Sequence, residues 1–154
     1  MKVTFRPATP ADANALLMRG VRRSDCLEAA RLGFPRIADA LHDSLVFSEF
    51  SAAAYTKNGV ACIWGVSRLS LLSPVGTIWL VAHDDIEKYA VRFLKESRAK
   101  LALLMEYYPR LENVIDVDNT MTMRWLEWLG FSVDKGRPLK SATGFPFYRF
   151  WKEA

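Results

Sequence analysis

The sequence has few cysteines and no long apolar run. Its two cysteines, Cys26 and Cys62, lie far apart in apolar surroundings. A thiol in that setting behaves as a small hydrophobic side chain, so we expect both to stay reduced, as in intracellular proteins. No stretch approaches the roughly 18 apolar residues that a membrane-spanning helix requires, and the N-terminus lacks the apolar segment of a signal peptide. We therefore expect a soluble chain with no membrane span and no secretion signal.

Several catalytic motifs are also missing. The sequence contains no Walker loop, no Cys-x-x-Cys pair and no Ser/His/Asp arrangement, which argues against the common phosphate-binding, redox and hydrolytic sites. It has only two histidines, and no set of carboxylates accompanies them at the spacing of metal ligands. We expect no metal site.

Charge of one sign is not concentrated anywhere. The 21 Lys and Arg exceed the 17 Asp and Glu by a formal charge of +4, and no long run of like charges occurs. Composition alone therefore does not predict a nucleic-acid groove. The chain is 51% hydrophobic and 25% charged, which excludes disorder, and its 154 residues predict one domain over residues 1–154.

The first half of the chain predicts a strand, helices and an antiparallel meander. Thr9 before Pro10 is a helix start, and proline restricts the backbone near Gly33-Phe34-Pro35, which divides the second helical stretch. Asn58-Gly59 is a strong hairpin signal. The predicted elements are strand Thr4–Arg6, helix Pro10–Met18, a broken helix Asp25–Ala40, strands Leu45–Phe50 and Ala52–Tyr55, and strands Val60–Ser67 and Thr77–Ala82.

The second half predicts two helices alternating with short strands. Asp84 or Asp85 caps a long amphipathic helix, Asn119 caps a shorter one, and Gly130 ends it in the left-handed conformation. The predicted elements are helix Ile86–Tyr108, strand Asn113–Val117, helix Asn119–Leu129, and strands Phe131–Val133 and Pro146–Trp151.

This order of elements, with the opening Arg6–Asp12 and the segment Asn119–Phe131, resembles the GCN5-related N-acetyltransferase (GNAT) family over essentially the whole chain. In that family an asparagine opens the second core helix and a Gly-Phe pair follows it at this separation. The resemblance implies an α/β (α+β) fold, with a mixed, mostly antiparallel sheet of six or seven strands, about four helices, and a sheet splayed at the central strand.

Two departures from the family pattern bear on activity. Members that use acetyl-CoA hold its pyrophosphate on a glycine-rich turn after the central strand, where the segment Ala82–Ala90 has no glycine and carries Asp84, Asp85 and Glu87. These carboxylates suit the helix dipole but repel a polyanionic cofactor. Leu126 stands where the family has its general-acid tyrosine. We expect no cofactor, or acetyl-CoA if the chain is nevertheless an enzyme.

The shared absences and the pattern of Asn119, Arg124 and Leu126 are also similar to the acetyltransferase-like internal virion proteins of short-tailed bacteriophages. That resemblance implies a structural or accessory role in the virion or the bacterial host cytoplasm, with phage structural proteins as partners. The alternative is an active acetyl-CoA-dependent N-acetyltransferase of a small amine or protein amine.

Three residues are candidates for catalysis. Glu49 could deprotonate an amine from the first meander strand, and His83 follows the central strand, where it could act as a base. Asp116 and Asp118 point to one face, and with Asp84 they could form an acidic patch that attracts a cationic amine. For each, a surface or capping role is the alternative. By position alone, Leu80, Ala82 and Asn119 are candidates for binding a cofactor.

The long helix carries five basic residues at spacings of three or four that would gather on its outer face. They are Lys88, Arg92, Lys95, Arg98 and Lys100. Such a face is commonly only solvated, but its sign suits an acidic partner surface or DNA.

Overall fold

The computed structural model describes residues 2–68 and 70–154. An eight-stranded sheet has the order β1-β2-β3-β4-β5-β8-β6, with β7 also paired to β8. Its strands are β1 Thr4–Pro7, β2 Ser48–Thr56, β3 Gly59–Arg68, β4 Val75–Ala82, β5 Arg110–Asp116, β6 Ser132–Val133, β7 Leu139–Lys140 and β8 Pro146–Glu153. The α-helices are α1 Pro10–Arg19, α2 Arg23–Arg31, α3 Ile37–Phe47, α4 Ala90–Tyr107 and α5 Thr120–Trp128, and a 3-10 helix spans Asp84–Tyr89.

The sheet is antiparallel except where β4 meets β5. These two strands run parallel and pair over only three positions, from Val75 with Arg110 to Thr77 with Glu112. Beyond them β4 continues to pair with β3, and β5 with β8. The strands therefore splay apart toward their C-terminal ends, which confirms the predicted fold class and its splayed central strand.

The two faces of the sheet carry different helices. Alternate residues of the meander point to opposite faces: Ala53 and Ile63 pack with α1 and α3, whereas Ala54 and Cys62 pack with the 3-10 helix and the start of α4. A third cluster joins α4 and α5 to β5 and β8. Cys62 is fully buried and neither cysteine forms a disulfide. No helix within residues 2–68 and 70–154 is long and apolar enough to cross a membrane.

Several local predictions are confirmed. Thr9 and Asp12 form a capping box at the start of α1, and the helical stretch 25–40 divides into α2 and α3. Gly59, in the predicted hairpin turn, has φ +116°, and Gly130, after α5, has φ +97°.

The predicted strand Leu45–Phe50 is wrong in its first half. Residues up to Phe47 continue α3, and β2 begins only at Ser48. Short apolar runs do not distinguish a strand from the end of a helix, and here buried Leu41 and half-buried Leu45 continue one helical face onto the sheet. The count of elements also differs, with eight strands and five α-helices, because the two-residue strand β7 carries no sequence signal and α3 is a full helix.

The start of the long helix also differs from the prediction. Residues Asp84–Tyr89 form the 3-10 helix, and α4 itself begins at Ala90. Neither Asp84 nor Asp85 therefore caps the long α-helix.

Candidate active site

The splay between β4 and β5 opens into a cavity of about 290 Å³. At its apex the Asn113 side chain donates a hydrogen bond to the carbonyl of Ile78, at 2.7 Å. This hydrogen bond joins β5 to β4 directly after the last paired positions of the two strands. Most of the lining is apolar, including Trp64, Leu80 and Leu126. The cavity is a cleft shaped for an apolar group, with a few polar groups at its mouth.

Helix α2 lies across the open end of this cleft and bonds to both strands. The amide of Arg22 donates to the carbonyl of Ala82 at 2.8 Å, and the Asp25 carboxylate accepts from the Ala82 amide at 2.8 Å. Three residues further on, Glu28 accepts from the amide of Asp116 at 2.7 Å. Because Ala82 ends β4 and Asp116 ends β5, α2 holds the diverging strands at a fixed separation.

The N-terminal part of α2 is anchored by a buried ion pair. The Arg22 guanidinium donates to both oxygens of Asp25, at 2.7 and 3.0 Å, and the two side chains are 4% and 3% exposed. Arg22 also donates to Thr122 Oγ1 at 3.0 Å and lies over the Trp125 ring. Burial raises the pKa of Asp25, although Arg22 opposes the shift. The pair thus links the end of β4 to α5 across the cleft.

Glu28 is the most chemically distinctive residue of the cleft, and the sequence analysis missed it. Burial raises the pKa of its carboxyl to about 7, against the hydrogen bond from the Asp116 amide, and the charges of Asp25 and Asp116 raise it further. A carboxyl with that pKa can accept a proton near neutrality. The signal in the sequence was the spacing of three between Arg22, Asp25 and Glu28, which places charged groups on one face of α2.

Asp116 and Asp118 come together as predicted, but as the partners of an arginine. Arg31 donates to both oxygens of Asp116, at 3.1 and 2.9 Å, and to Asp118 at 2.8 Å. Asp84 makes no hydrogen bond or ion pair with them in the described part of the chain, and its charge acts on Asp25 and Cys26. Arg31 neutralises much of the negative charge of Asp116 and Asp118, on which the predicted attraction of a cationic amine depended.

The turn after β4 is organised by its own side chains. His83 Nδ1 accepts a hydrogen bond from the amide of Asp85 at 3.0 Å, which caps the 3-10 helix. The Asp85 carboxylate contacts Arg19, accepts from Asn58 at 3.4 Å and lies 3.5 Å from Lys88. Arg19 lowers the pKa of Asp85. Because Nδ1 accepts this hydrogen bond, neutral His83 carries its proton on Nε2. His83 therefore acts as the N-cap of the 3-10 helix.

Glu49 lies at the other end of the sheet from these groups. It accepts from the Tyr108 hydroxyl at 2.7 Å and lies 3.0 Å from Arg68 Nε. Burial, with the bond to Glu49, raises the pKa of Tyr108 to about 12. Ser48 pairs with Ser67 and Ser67 with Thr77, which puts Glu49 beside the start of β4. The structure does not bring Glu49 together with His83 or Asp116.

The three candidates for cofactor contact have different surroundings. Leu80 lines the cleft, but the amide and carbonyl of Ala82 are both bonded to α2. Asn119 stands at the N-cap position of α5, yet its side chain makes no capping hydrogen bond. It is 6% exposed, and its Nδ2 is buried without a partner among the described residues. The predicted cap is wrong, because the Asn119 side chain is buried beside the start of α5 without bonding to it.

The basic residues of α4 do not form the predicted single stripe. Lys88 lies in the 3-10 helix beside Asp85, and Arg92 pairs with Glu96 at 2.9 Å. Arg98 lies over the Trp128 ring of α5, whereas Lys100 lies over the Phe5 ring of β1. Because α5 and β1 flank α4 on different sides, the charges separate.

No protein-family model and no curated protein matches the sequence. Solved structures do match its fold. The GNAT domain of S. lividans PAT aligns with a TM-score of 0.73 and 14% identity, covering 99% of this chain and 90% of that one. A GNAT-family acetyltransferase from Streptococcus pneumoniae aligns with a TM-score of 0.69 and 14% identity, covering 99% of both chains. The chain has the GNAT fold.

A further GNAT-fold match is YncA from Salmonella typhimurium, whose structure was solved with its cofactor acetyl-CoA. It aligns with a TM-score of 0.66 and 14% identity, covering 98% of this chain and 93% of that one. At this identity the likeness concerns the fold, so the fit of acetyl-CoA to this chain must be judged on its own residues.

Those residues do not fit the cofactor as a whole. A pyrophosphate needs free backbone amides at the start of a helix, and here the Ala82 and Asp85 amides are bonded to Asp25 and His83. Asp84 and Glu87 are exposed there and have no cationic partner within the described part of the chain. The apolar cleft offers only partial contacts. One end of a nucleotide cofactor is therefore unsupported.

Replacing Glu28 by Gln should flatten the pH dependence of stability. The pKa of Glu28 in the folded state, about 7, lies above its ordinary value of 4.5. Protonated Glu28 therefore makes its full contribution to the free energy of unfolding at low pH, and that contribution is lost as the pH rises through 7. Gln keeps an acceptor for the Asp116 amide without the charge. In urea unfolding, we expect the free energy of unfolding of the variant to exceed that of wild type by ~1–2 kcal/mol near pH 8 and to equal it near pH 5. Glu106→Gln, an exposed carboxyl, is the control, and parallel curves for wild type and E28Q would contradict the assignment.

Replacing Asn119 by Ala should leave stability almost unchanged. Because the Asn119 side chain makes no capping bond, we expect the free energy of unfolding to change by less than ~0.5 kcal/mol, against ~1 kcal/mol for a capping residue. Thr9→Ala removes a real capping box and provides that reference loss in the same protein. If N119A loses as much as T9A, Asn119 is structural after all.

Proposed function

We propose that this chain is a GNAT-fold protein that works by association and does not use acetyl-CoA, as a structural or accessory component of a phage particle. The observation that carries the proposal is the turn after β4. A GNAT enzyme would hold a pyrophosphate with backbone amides and cations at this turn. Here side chains of the chain itself bond to these groups: Asp85 contacts Arg19, His83 accepts from the Asp85 amide, and Asp25 accepts from the Ala82 amide.

The position of the family's general acid supports the same proposal. Leu126, at the position of the family's general-acid tyrosine, lines the cavity with an aliphatic side chain. A leaving thiolate would find no proton donor at the expected place.

The phage context comes from the likeness to acetyltransferase-like internal virion proteins. In that setting the chain resides in the virion or the host cytoplasm, and its partners are phage structural proteins. The fold then serves as a scaffold, because function depends on the site that a fold carries and the fold alone does not fix it.

An N-acetyltransferase of an amine is the second candidate. It is supported by Glu28, which lines the cleft and whose pKa of about 7 suits a group that takes a proton from an ammonium ion. Within the cleft, Glu28 would receive the proton while Arg22 and Arg31 hold the neighbouring carboxylates Asp25 and Asp116 in place.

Titration calorimetry with acetyl-CoA and CoA separates the two candidates. We expect a Kd of about 1 mM or weaker, because each missing amide bond to a charged phosphate forfeits ~1.5–3 kcal/mol. A Kd in the micromolar range would overturn the association proposal and favour the enzyme.

The same calorimetry can test the cause. The triple variant D84N/D85N/E87Q removes three carboxylates and frees Arg19 and Lys88, so it should bind CoA more tightly than wild type. The variant D39N/E106Q/E153Q removes the same charge from exposed positions elsewhere and should not. If both variants gain equally, only net charge matters and the turn is not the cause.

Association with the particle is testable directly. In purified particles of the phage that encodes it, we expect the chain at a fixed ratio to the capsid protein after density-gradient separation, because a structural component is retained by its interfaces. A non-structural enzyme from the same infection is the control and should be lost. Loss of the chain alongside that control would contradict the virion role.

A further inference from the structure

Two cations converge on the C-terminal end of α5. The Arg98 guanidinium lies 3.9 Å from the centroid of the Trp128 ring and donates to the Trp128 carbonyl at 3.4 Å. From β8, Lys152 Nζ lies 2.7 Å from the position that a side-chain Cβ would take at Gly130. Positive charge near the last carbonyls of a helix is favourable, so the local structure accounts for these two.

Two further cations extend this surface without any such role. Lys95 precedes Arg98 by three residues on α4, and Arg124 precedes Trp128 by four on α5, so each shares a helix face with its neighbour. Both are exposed. Within residues 2–68 and 70–154, none of the four cations has a carboxylate within ion-pair distance. We call Lys95, Arg98, Arg124, Trp128 and Lys152 the α4–α5 basic surface.

This surface carries net positive charge. The carboxylates beside it, Glu96 and Glu127, are already paired with Arg92 and Lys135, at 2.9 and 3.2 Å. They therefore leave the four cations of the surface without a neutralising partner in the described part of the chain.

The surface also presents an aromatic ring to solvent. Trp128 is 44% exposed, and Met121, on the same face of α5, is 40% exposed. An indole backed by a guanidinium offers a flat platform for stacking, and unpaired lysines and arginines around it suit phosphates. A duplex hides its base faces from such a ring, whereas a single strand offers them.

We propose that the α4–α5 basic surface binds single-stranded nucleic acid, with phosphates on the four cations and a base stacked at Trp128. This site is separate from the cleft and does not depend on whether acetyl-CoA binds. It replaces the single stripe expected along residues 88–100, because it draws on α5 and β8 as well as α4.

The test is fluorescence anisotropy with a labelled oligonucleotide of ~20 mixed-sequence bases and the full chain. Four phosphate contacts predict a slope of about −3 for log K against log salt concentration. The double variant K95E/R124E, at two exposed positions that make no ion pair with the rest of the described chain, should weaken binding by at least tenfold and lower the slope by about half. W128A should weaken binding by about tenfold with the slope unchanged, because it removes stacking and no charge.

The matched control is K2E/K57E, which changes the net charge equally at exposed positions remote from α5 and should keep wild-type affinity. Each variant is first checked for an unchanged melting temperature. Absence of binding at low salt overturns the proposal, as does an equal loss in K95E/R124E and K2E/K57E. Stronger competition by poly-glutamate than by unlabelled oligonucleotide, with W128A unaffected, also overturns it and assigns the surface to an acidic protein. Tighter binding of duplex than of single strand overturns the stacking role.

Discussion

The structure depends on how the splayed strands β4 and β5 are held. After three paired positions each strand loses the other as a hydrogen-bonding neighbour, and buried backbone groups left without partners destabilise a fold. Helix α2 supplies those partners, through Arg22 and Asp25 at Ala82 and through Glu28 at Asp116. Because Arg22 and Asp25 are almost fully buried, removing one of them alone would leave an uncompensated buried charge. This would lower the free energy of unfolding by ~3–5 kcal/mol.

This arrangement has a functional consequence. A GNAT enzyme leaves backbone groups at the end of its central strand free for a ligand, whereas here α2 and the 3-10 turn use them within the chain. The cleft that remains is mostly apolar, with Asp25 and Glu28 of α2 among its polar lining residues. Under the proposed function, the same fold keeps its cavity without holding a phosphate there, and the four cations of the α4–α5 basic surface lie on the outside of the molecule.

The sequence predicted features that depend on local chemistry. The capping box at Thr9, the hairpin at Gly59 and the left-handed stop at Gly130 follow from neighbouring residues, and all three are confirmed. The residues of the candidate site were harder to predict from the sequence. Glu49 was a candidate because some acetyltransferases carry a basic carboxylate on the corresponding strand, but its partner Tyr108 is 59 residues away. Glu28 was missed because its pKa comes from burial under other elements.

What the sequence determined by itself was the order of strands and helices, because periodicity, turns and most caps act over a few residues. What only the tertiary structure decided was the partner of each charged group. Arg19 meets Asp85 across 66 residues, Arg31 meets Asp116 across 85, and Glu28 meets the Asp116 amide across 88. Such pairs depend on which elements the sheet brings side by side, and an unpaired charge, a neutralised one and a buried one look the same in the sequence. Whether a carboxylate attracts a substrate, caps a turn or holds an arginine is therefore decided by packing.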